Sequence, residues 1–169
     1  MDEAILQFGR EKRNGRRVVF TNGCFDVLHP GHVKLLEFAK SQGDVLIVGI
    51  NGDKMVAELK GAGRPAIPQD ERAEILASLE TVDAVVIFHE PTPRELISRL
   101  LPDVLVKGGD WALDQIVGRE EVERAGGRVA TVPVKAGHST TEILRKIREG
   151  APHAANQTAT PAQPSPTKS

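Results

Sequence analysis

Five short apolar runs alternate with stretches of helical spacing, and this alternation constrains the fold more than any other feature. The runs are "RRVVFTNG", "DVLIVGIN", "DAVVIF", "PDVLVKGG" and "RVATVPV". "DVLIVGIN" is apolar at consecutive positions, as expected of a strand covered on both faces. Between the runs, "GHVKLLEFAKSQG" sets Val33, Leu35, Leu36 and Ala39 at helical spacing and stops at Gly43. "GDKMVAEL", "QDERAEILASLETV" and "VGREEVERAGG" read as helices, with "GAGRPAIP" as a loop. "TPRELISRL" is a helix with Thr92 as cap and Pro93 in its first turn, and "STTEILRKIREG" a helix with Ser139 as cap. A leading helix over residues 2–13 turns Ile5, Leu6 and Phe8 inward. The pattern predicts an α/β protein, a Rossmann-like doubly wound parallel five-stranded sheet with helices on both faces.

Sheets of this kind bind ligands beyond the carboxyl ends of their strands, where strand order reverses. The chemically unusual stretches fall at those ends. "TNGCFDVLHPGH" follows the first strand, "NGDK" the second, "KGGDW" the fourth and "KAGHSTT" the fifth.

Bulk properties narrow the function. The 169 residues suit one domain, residues 1–150. The tail 151–169 holds no Leu, Ile, Val, Phe or Trp and is predicted to be disordered. A net charge of -1, one Trp and no Tyr argue against a nucleic-acid partner. No run spans a membrane, no signal peptide is recognisable, and a single cysteine fits a reducing compartment, so a cytoplasmic protein is expected.

In "TNGCFDVLHPGH", Gly31 permits close backbone approach and Pro30 stiffens the turn. His29 and His32 are then placed to donate to phosphate oxygens at a helix start, where the dipole favours an anion. Read from the residues alone, the pair fits two solvated loop histidines better, with His32 as a local cap. A metal pair lacks a third nearby ligand.

The wider pattern narrows the choice. "TNGCFDVLHPGH" resembles the HxGH signature of the α/β-phosphodiesterase-type nucleotidyltransferases, the superfamily that includes the cytidylyltransferases. "LKGAGRP", "DER", "VDAVVIF", "PDVLVKGGDW", "IVGREEVE" and "GHSTTEI" follow in the order seen in heptose-1-phosphate adenylyltransferases. Those enzymes often form the second half of a bifunctional sugar kinase/adenylyltransferase. The resemblance runs from about Arg17 to about Arg148.

That resemblance implies a reaction of ATP with a sugar 1-phosphate, giving an ADP-sugar and pyrophosphate. It assigns catalytic roles to His29, His32 and Lys60. Thr21, Asn22, Gly23, Cys24, Phe25, Gly31, Lys107, Gly108, Gly109, Asp110, Ser139, Thr140 and Thr141 are expected to hold the nucleotide. Arg64 and Arg72 are candidates for the substrate phosphate, with a structural ion pair as the alternative for Arg72. Cys24 is read as a packing residue rather than a nucleophile, Asp26 as a turn stabiliser, and Trp111 as pocket wall or core. Mg²⁺ is expected to arrive on the ATP phosphates, with no metal site on the protein.

Two departures bear on substrate. Cytidylyltransferases tend to carry an arginine where Val134 stands, and Arg-Tyr where Glu80 and Thr81 stand. Both point toward the adenylyl branch and toward D-glycero-β-D-manno-heptose 1-phosphate as acceptor, with a separate heptose kinase upstream. A homodimer is the family expectation. The alternatives are a cytidylyltransferase or other sugar-phosphate nucleotidyltransferase of the same fold, and a non-catalytic nucleotide-binding regulator.

Overall fold

A computed structural model describes residues 2–109, 111–133 and 139–150; the predicted tail, Asp110 and His138 lie outside them. Five strands form one parallel sheet in the order β3-β2-β1-β4-β5. They are β1 (Val18–Gly23), β2 (Val45–Asn51), β3 (Ala84–Phe88), β4 (Val104–Gly108) and β5 (Arg128–Val132). The helices are α1 (Asp2–Phe8), α2 (Pro30–Lys40), α3 (Asp53–Lys60), α4 (Gln69–Ala77), α5 (Arg94–Leu100), α6 (Arg119–Arg124) and α7 (Thr140–Glu149). The expected doubly wound sheet is therefore present.

The period of two along each strand divides the core. Val18 and Phe20 enter a layer with Phe8, Leu96, Ile97 and Leu100, under α1, α5 and α6. Val19 enters the opposite layer with Leu35, Leu36, Ala39 and Leu76, under α2 and α4. All seven residues of β2 are buried, which is why "DVLIVGIN" shows no polar alternation. Each fully buried large side chain contributes about 1.5–3 kcal/mol, so the two layers fix which face each helix occupies.

Several element boundaries differ from expectation. The leading helix ends at Phe8, and a 3₁₀ turn covers Arg10–Lys12. Its inward pair is Ala4 and Phe8, four residues apart, while Leu6 is 73% exposed. Val33, set inward by its spacing, is also exposed. Helix α4 stops at Ala77. Thr92 does not cap α5; Pro93 holds that position and no side chain closes it. Strand β5 ends at Val132 because Pro133 has no N–H to continue the ladder.

The crossover that matters is at β1. The chain leaves it toward β2 on one side and returns to β4 on the other. This opens a crevice at the carboxyl ends of β1 and β4.

Candidate active site

A cavity of about 630 Å³ fills that crevice. The turn after β1 forms one wall, with Asn22, Gly23, Cys24, Phe25, His29, Gly31 and His32. Lys60 and Arg64 approach from the end of α3 and its following loop, Lys107 and Gly108 from β4, and Ser139, Thr140 and Thr141 from the start of α7. Fourteen of the predicted residues thus share one cavity.

The histidines are arranged differently from the capping alternative considered above. His29, not His32, caps α2: its Nδ1 accepts from the Gly31 N–H at 3.1 Å. A neutral imidazole that accepts at Nδ1 carries its proton on Nε2, so His29 is set up as an Nε2–H donor. Pro30 has no N–H, Gly31 gives its own to His29, and the His32 N–H bonds His29 O at 2.8 Å. The first turn of α2 therefore keeps its backbone donors for itself, and an anion there must be met by the side chains.

His32 stacks on His29 with ring centroids 3.8 Å apart and planes at 21°. Phe25 sits against its other side, with centroids 4.9 Å apart. Phe25 adopts a φ of 46°, a left-handed conformation uncommon for an aromatic residue, at the point where the turn leaves β1. The His32 pKa is lowered to about 4, first by burial and then by the neighbouring His29, against a backbone hydrogen bond at Val27. His32 is thus neutral at physiological pH, and its buried Nδ1 makes no well-aligned hydrogen bond among the described residues.

That depressed pKa fixes a stability trend. Between about pH 4 and 6.5 the unfolded chain protonates His32 and the native chain does not. Stability is therefore greatest above pH 6.5 and falls as pH drops through that window, by about 2–3 kcal/mol from this residue. Urea unfolding of wild type and His32→Asn at pH 7.5 and 4.5 measures it. The loss should be smaller in the variant by that amount; equal losses would show that His32 is not the group responsible.

Asp26 is a turn stabiliser, as read from the sequence. It is buried, its Oδ1 accepts from the N–H groups of Ala66 (2.7 Å) and Ile67 (3.1 Å), and its Oδ2 pairs with Arg64. It ties the loop after Lys60 to the histidine turn. Lys60 itself is exposed and makes no hydrogen bond or ion pair among the described residues. Lys107 donates to Asn22 Oδ1 at 2.9 Å, and burial lowers its pKa, with the nearby Cys24 sulfur opposing. The Cys24 thiol is pushed up by burial, with Lys60, Arg72 and Arg64 opposing, so it is held protonated.

Ser139 Oγ accepts from the Glu142 N–H at 3.1 Å, so it caps α7. Thr140 donates to Val27 O at 3.2 Å, tying α7 to the histidine turn. Thr141 is exposed to the cavity and brings its hydroxyl there.

Three expected residues do not reach the cavity. Thr21 is fully buried within β1. Gly109 continues the ladder, donating to Val132 O at 2.9 Å. Arg72 is 1% exposed, and its guanidinium is spent on Ile67 O (2.9 Å), Cys24 O (2.5 Å), Asn51 O (2.9 Å) and Asp53 (2.7 Å). It holds the site together instead of facing a substrate phosphate. Arg64 does line the cavity, but as the partner of Asp26.

The reading of the sequence missed Asn51, Leu59, Pro91, Thr92, Pro93, Gln115 and Val117, which complete the walls with Trp111. Trp111 is a wall residue, 49% exposed, with Nε1 donating to Gly108 O at 3.1 Å. "HEPTP" follows the third strand, so the strand-end rule that located the other stretches also points to it.

A parallel sheet with a histidine-capped helix and lysines at its switch point defines a nucleotide-handling α/β protein of the HxGH type. A family model described as cytidylyltransferase-like matches residues 20–146, and the chain belongs to that family. It is 58% identical over 137 residues to the bifunctional protein HldE of Geobacter sulfurreducens, covering 81% of this chain and 28% of that protein. With the bifunctional protein HldE of Methylobacillus flagellatus it is 48% identical over 147 residues, covering 87% and 30%. The chain thus spans less than a third of the length of these relatives.

Among solved structures, the lipopolysaccharide core biosynthesis protein from Thermoplasma volcanium superposes with a TM-score of 0.59 at 26% identity, covering 72% of this chain and 98% of that one. A pantoate-beta-alanine ligase from Francisella tularensis shares the fold, with a TM-score of 0.51 at 18% identity over 86% of this chain and 76% of that one.

Proposed function

We propose that the chain transfers AMP from ATP to D-glycero-β-D-manno-heptose 1-phosphate, releasing pyrophosphate and ADP-heptose for lipopolysaccharide core synthesis. The observation that carries this is the stacked His29–His32 pair, facing one cavity with Lys60, Lys107 and the start of α7. The similarity to the HldE proteins and to a lipopolysaccharide core biosynthesis protein supports the heptose branch, as do Val134, Glu80 and Thr81.

The acceptor brings its own nucleophile, a phosphate oxygen that attacks the α-phosphorus in line. Catalysis then rests on positioning and on donors aimed at developing charge. In this reading His29 Nε2–H and the His32 ring meet the transferring phosphate. Lys60, unpaired and on a flexible stem, follows the negative charge onto the leaving pyrophosphate. Lys107 and Asn22 line the nucleotide side, and Thr141 with the α7 start takes the outer phosphates.

Among the described residues no group of three or more His, Cys, Asp or Glu is placed to hold a metal ion. Asp26, the buried carboxylate at the cavity among the described residues, is already committed. Mg²⁺ is proposed to arrive on the nucleotide phosphates. No helix among the described residues is long and apolar enough to cross a membrane. The proposed reaction belongs in the cytoplasm and uses a sugar 1-phosphate supplied by a heptose kinase activity.

The test is pyrophosphate release from purified protein with magnesium, the heptose 1-phosphate, and ATP or CTP in separate reactions. Release with ATP alone is expected. Release with CTP alone would keep the mechanism and transfer the protein to the cytidylyl branch. No release with either, despite nucleotide binding, would leave a binding regulator.

A further inference from the structure

The basic run "GREKRNGRR" ahead of β1 plays no part in the site described above. In the fold it meets the start of β5 at the opposite edge of the sheet, around a cavity of about 550 Å³. Arg10, Arg13, Arg16, Arg17 and Arg128 line this cavity with a single carboxylate, Asp103. It opens at the amino ends of β1, β4 and β5, whereas the nucleotide cavity opens at their carboxyl ends. The length of β1 separates the two by about 16 Å.

One ion pair forms the floor. Arg13, only 5% exposed, contacts Asp103 at 2.9 Å and donates to the carbonyls of Phe8 (3.1 Å), Leu100 (2.6 Å) and Leu101 (2.5 Å). Asp103 also accepts the Val18 N–H at 2.8 Å. Arg13 and Asp103 thus cancel in charge and are occupied structurally.

Above them stand Arg10, Arg16, Arg17 and Arg128, all exposed, and none forms an ion pair among the described residues. Arg16 donates to Arg13 O at 3.3 Å and Arg128 to Gln42 Oε1 at 2.8 Å. Asp44, which is not part of the cavity lining, accepts the Arg17 backbone N–H with Oδ2 at 2.7 Å. Arg16 also lies over the Phe8 ring at 5.7 Å, but none of these contacts neutralises charge, so four guanidiniums without an acidic partner among the described residues repel one another on one concave rim that focuses their field. A chain with net charge -1 does not produce this by composition. Arginine forks match phosphate oxygens two at a time, which one carboxylate cannot exploit across four of them. The volume lies within the range of small-ligand sites, about 300–1,000 Å³.

We infer that this arginine cavity binds a small polyanion carrying two or more phosphate groups, at a site separate from the nucleotide cavity. Such a ligand bridges the segment ahead of β1 to the starts of β4 and β5. The inference does not depend on which nucleotide or acceptor the first cavity takes.

Inorganic pyrophosphate at low salt is the probe, read by amide shifts in the ¹⁵N-labelled full chain. Saturable shifts are expected at Gly15, Gly126 and Gly127, with an affinity distinct from that of any shifts at residues 22–32. In Arg10→Gln/Arg17→Gln/Arg128→Gln the far-edge affinity should fall at least about tenfold, with the shifts at 22–32 unchanged. Arg128→Gln alone, whose side chain reaches only Gln42, gives the same direction if the triple variant folds poorly. Three results would overturn the inference: no far-edge shifts, linear unsaturated shifts, or shifts that survive the triple variant. Failure of pyrophosphate with capture of an acidic peptide at the same residues would make the surface a protein-docking face instead.

Discussion

His32→Ala should lower turnover by about 10²–10³-fold while nucleotide still binds within roughly tenfold. That corresponds to about 3–4 kcal/mol lost from the transition state alone. The ring is neutral, largely buried, and lines the cavity beside His29. A ring donor facing the transferring phosphate interacts more strongly as negative charge grows there, so its contribution rises as the reaction proceeds. Ground-state binding is spread over more groups and should barely change. His32 is a cleaner probe than His29, because His29→Ala also removes the cap on Gly31 and costs about 0.5–2 kcal/mol of helix stability. His29→Asn restores a capping oxygen and so separates the two roles. Single-turnover rates with saturating ATP and acceptor decide it. A rate for His32→Ala within threefold of wild type would remove His32 from the chemistry.

The parts legible in the sequence were those set by local pattern and by one topological rule. "DVLIVGIN" reads as a doubly covered strand because its burial is complete. "TNGCFDVLHPGH" could be placed at the ligand edge because a parallel sheet puts every strand's carboxyl end on the same side. What was not legible depends on distant partners or on a single side-chain torsion. Either histidine of the motif suits a helix start, and only the geometry at residue 29 sets Nδ1 on the Gly31 N–H. Asp26 finds its partners about forty residues downstream, in a loop that sequence spacing says nothing about. Pro91, Pro93 and Val117 carry no phosphate-binding group, so a search for phosphate chemistry passes over them although they wall the cavity. Ala4 replaced Leu6 in the core because the helix phase is fixed by Phe8, not by side-chain size.

Arg72 is the sharpest case of a residue whose type suggests one role and whose burial gives another. An arginine in "DER" near a phosphate site invites a substrate contact, yet here the guanidinium joins four segments. It reaches Cys24 O just after β1, Asn51 O at the end of β2, Ile67 O in the loop that carries Arg64, and the Asp53 carboxylate at the start of α3. Arg72→Leu keeps most of the bulk but leaves three carbonyls without their donor and Asp53 without its partner. Asp53 is 42% exposed and stays hydrated, so the cost falls on the carbonyls, at about 1–3 kcal/mol for each buried acceptor left unsatisfied and about 3–5 kcal/mol together. For a domain of this size that lowers the Tm by about 10 °C. Arg72→Lys keeps the charge but cannot fork to four acceptors, so an intermediate loss is expected. Urea unfolding of both variants, alongside KM for nucleotide and acceptor, separates the two roles. A structural clamp shows a large stability loss, with any kinetic defect shared between both substrates. A stability loss under 1 kcal/mol, with KM raised for the acceptor alone, would return Arg72 to the substrate phosphate.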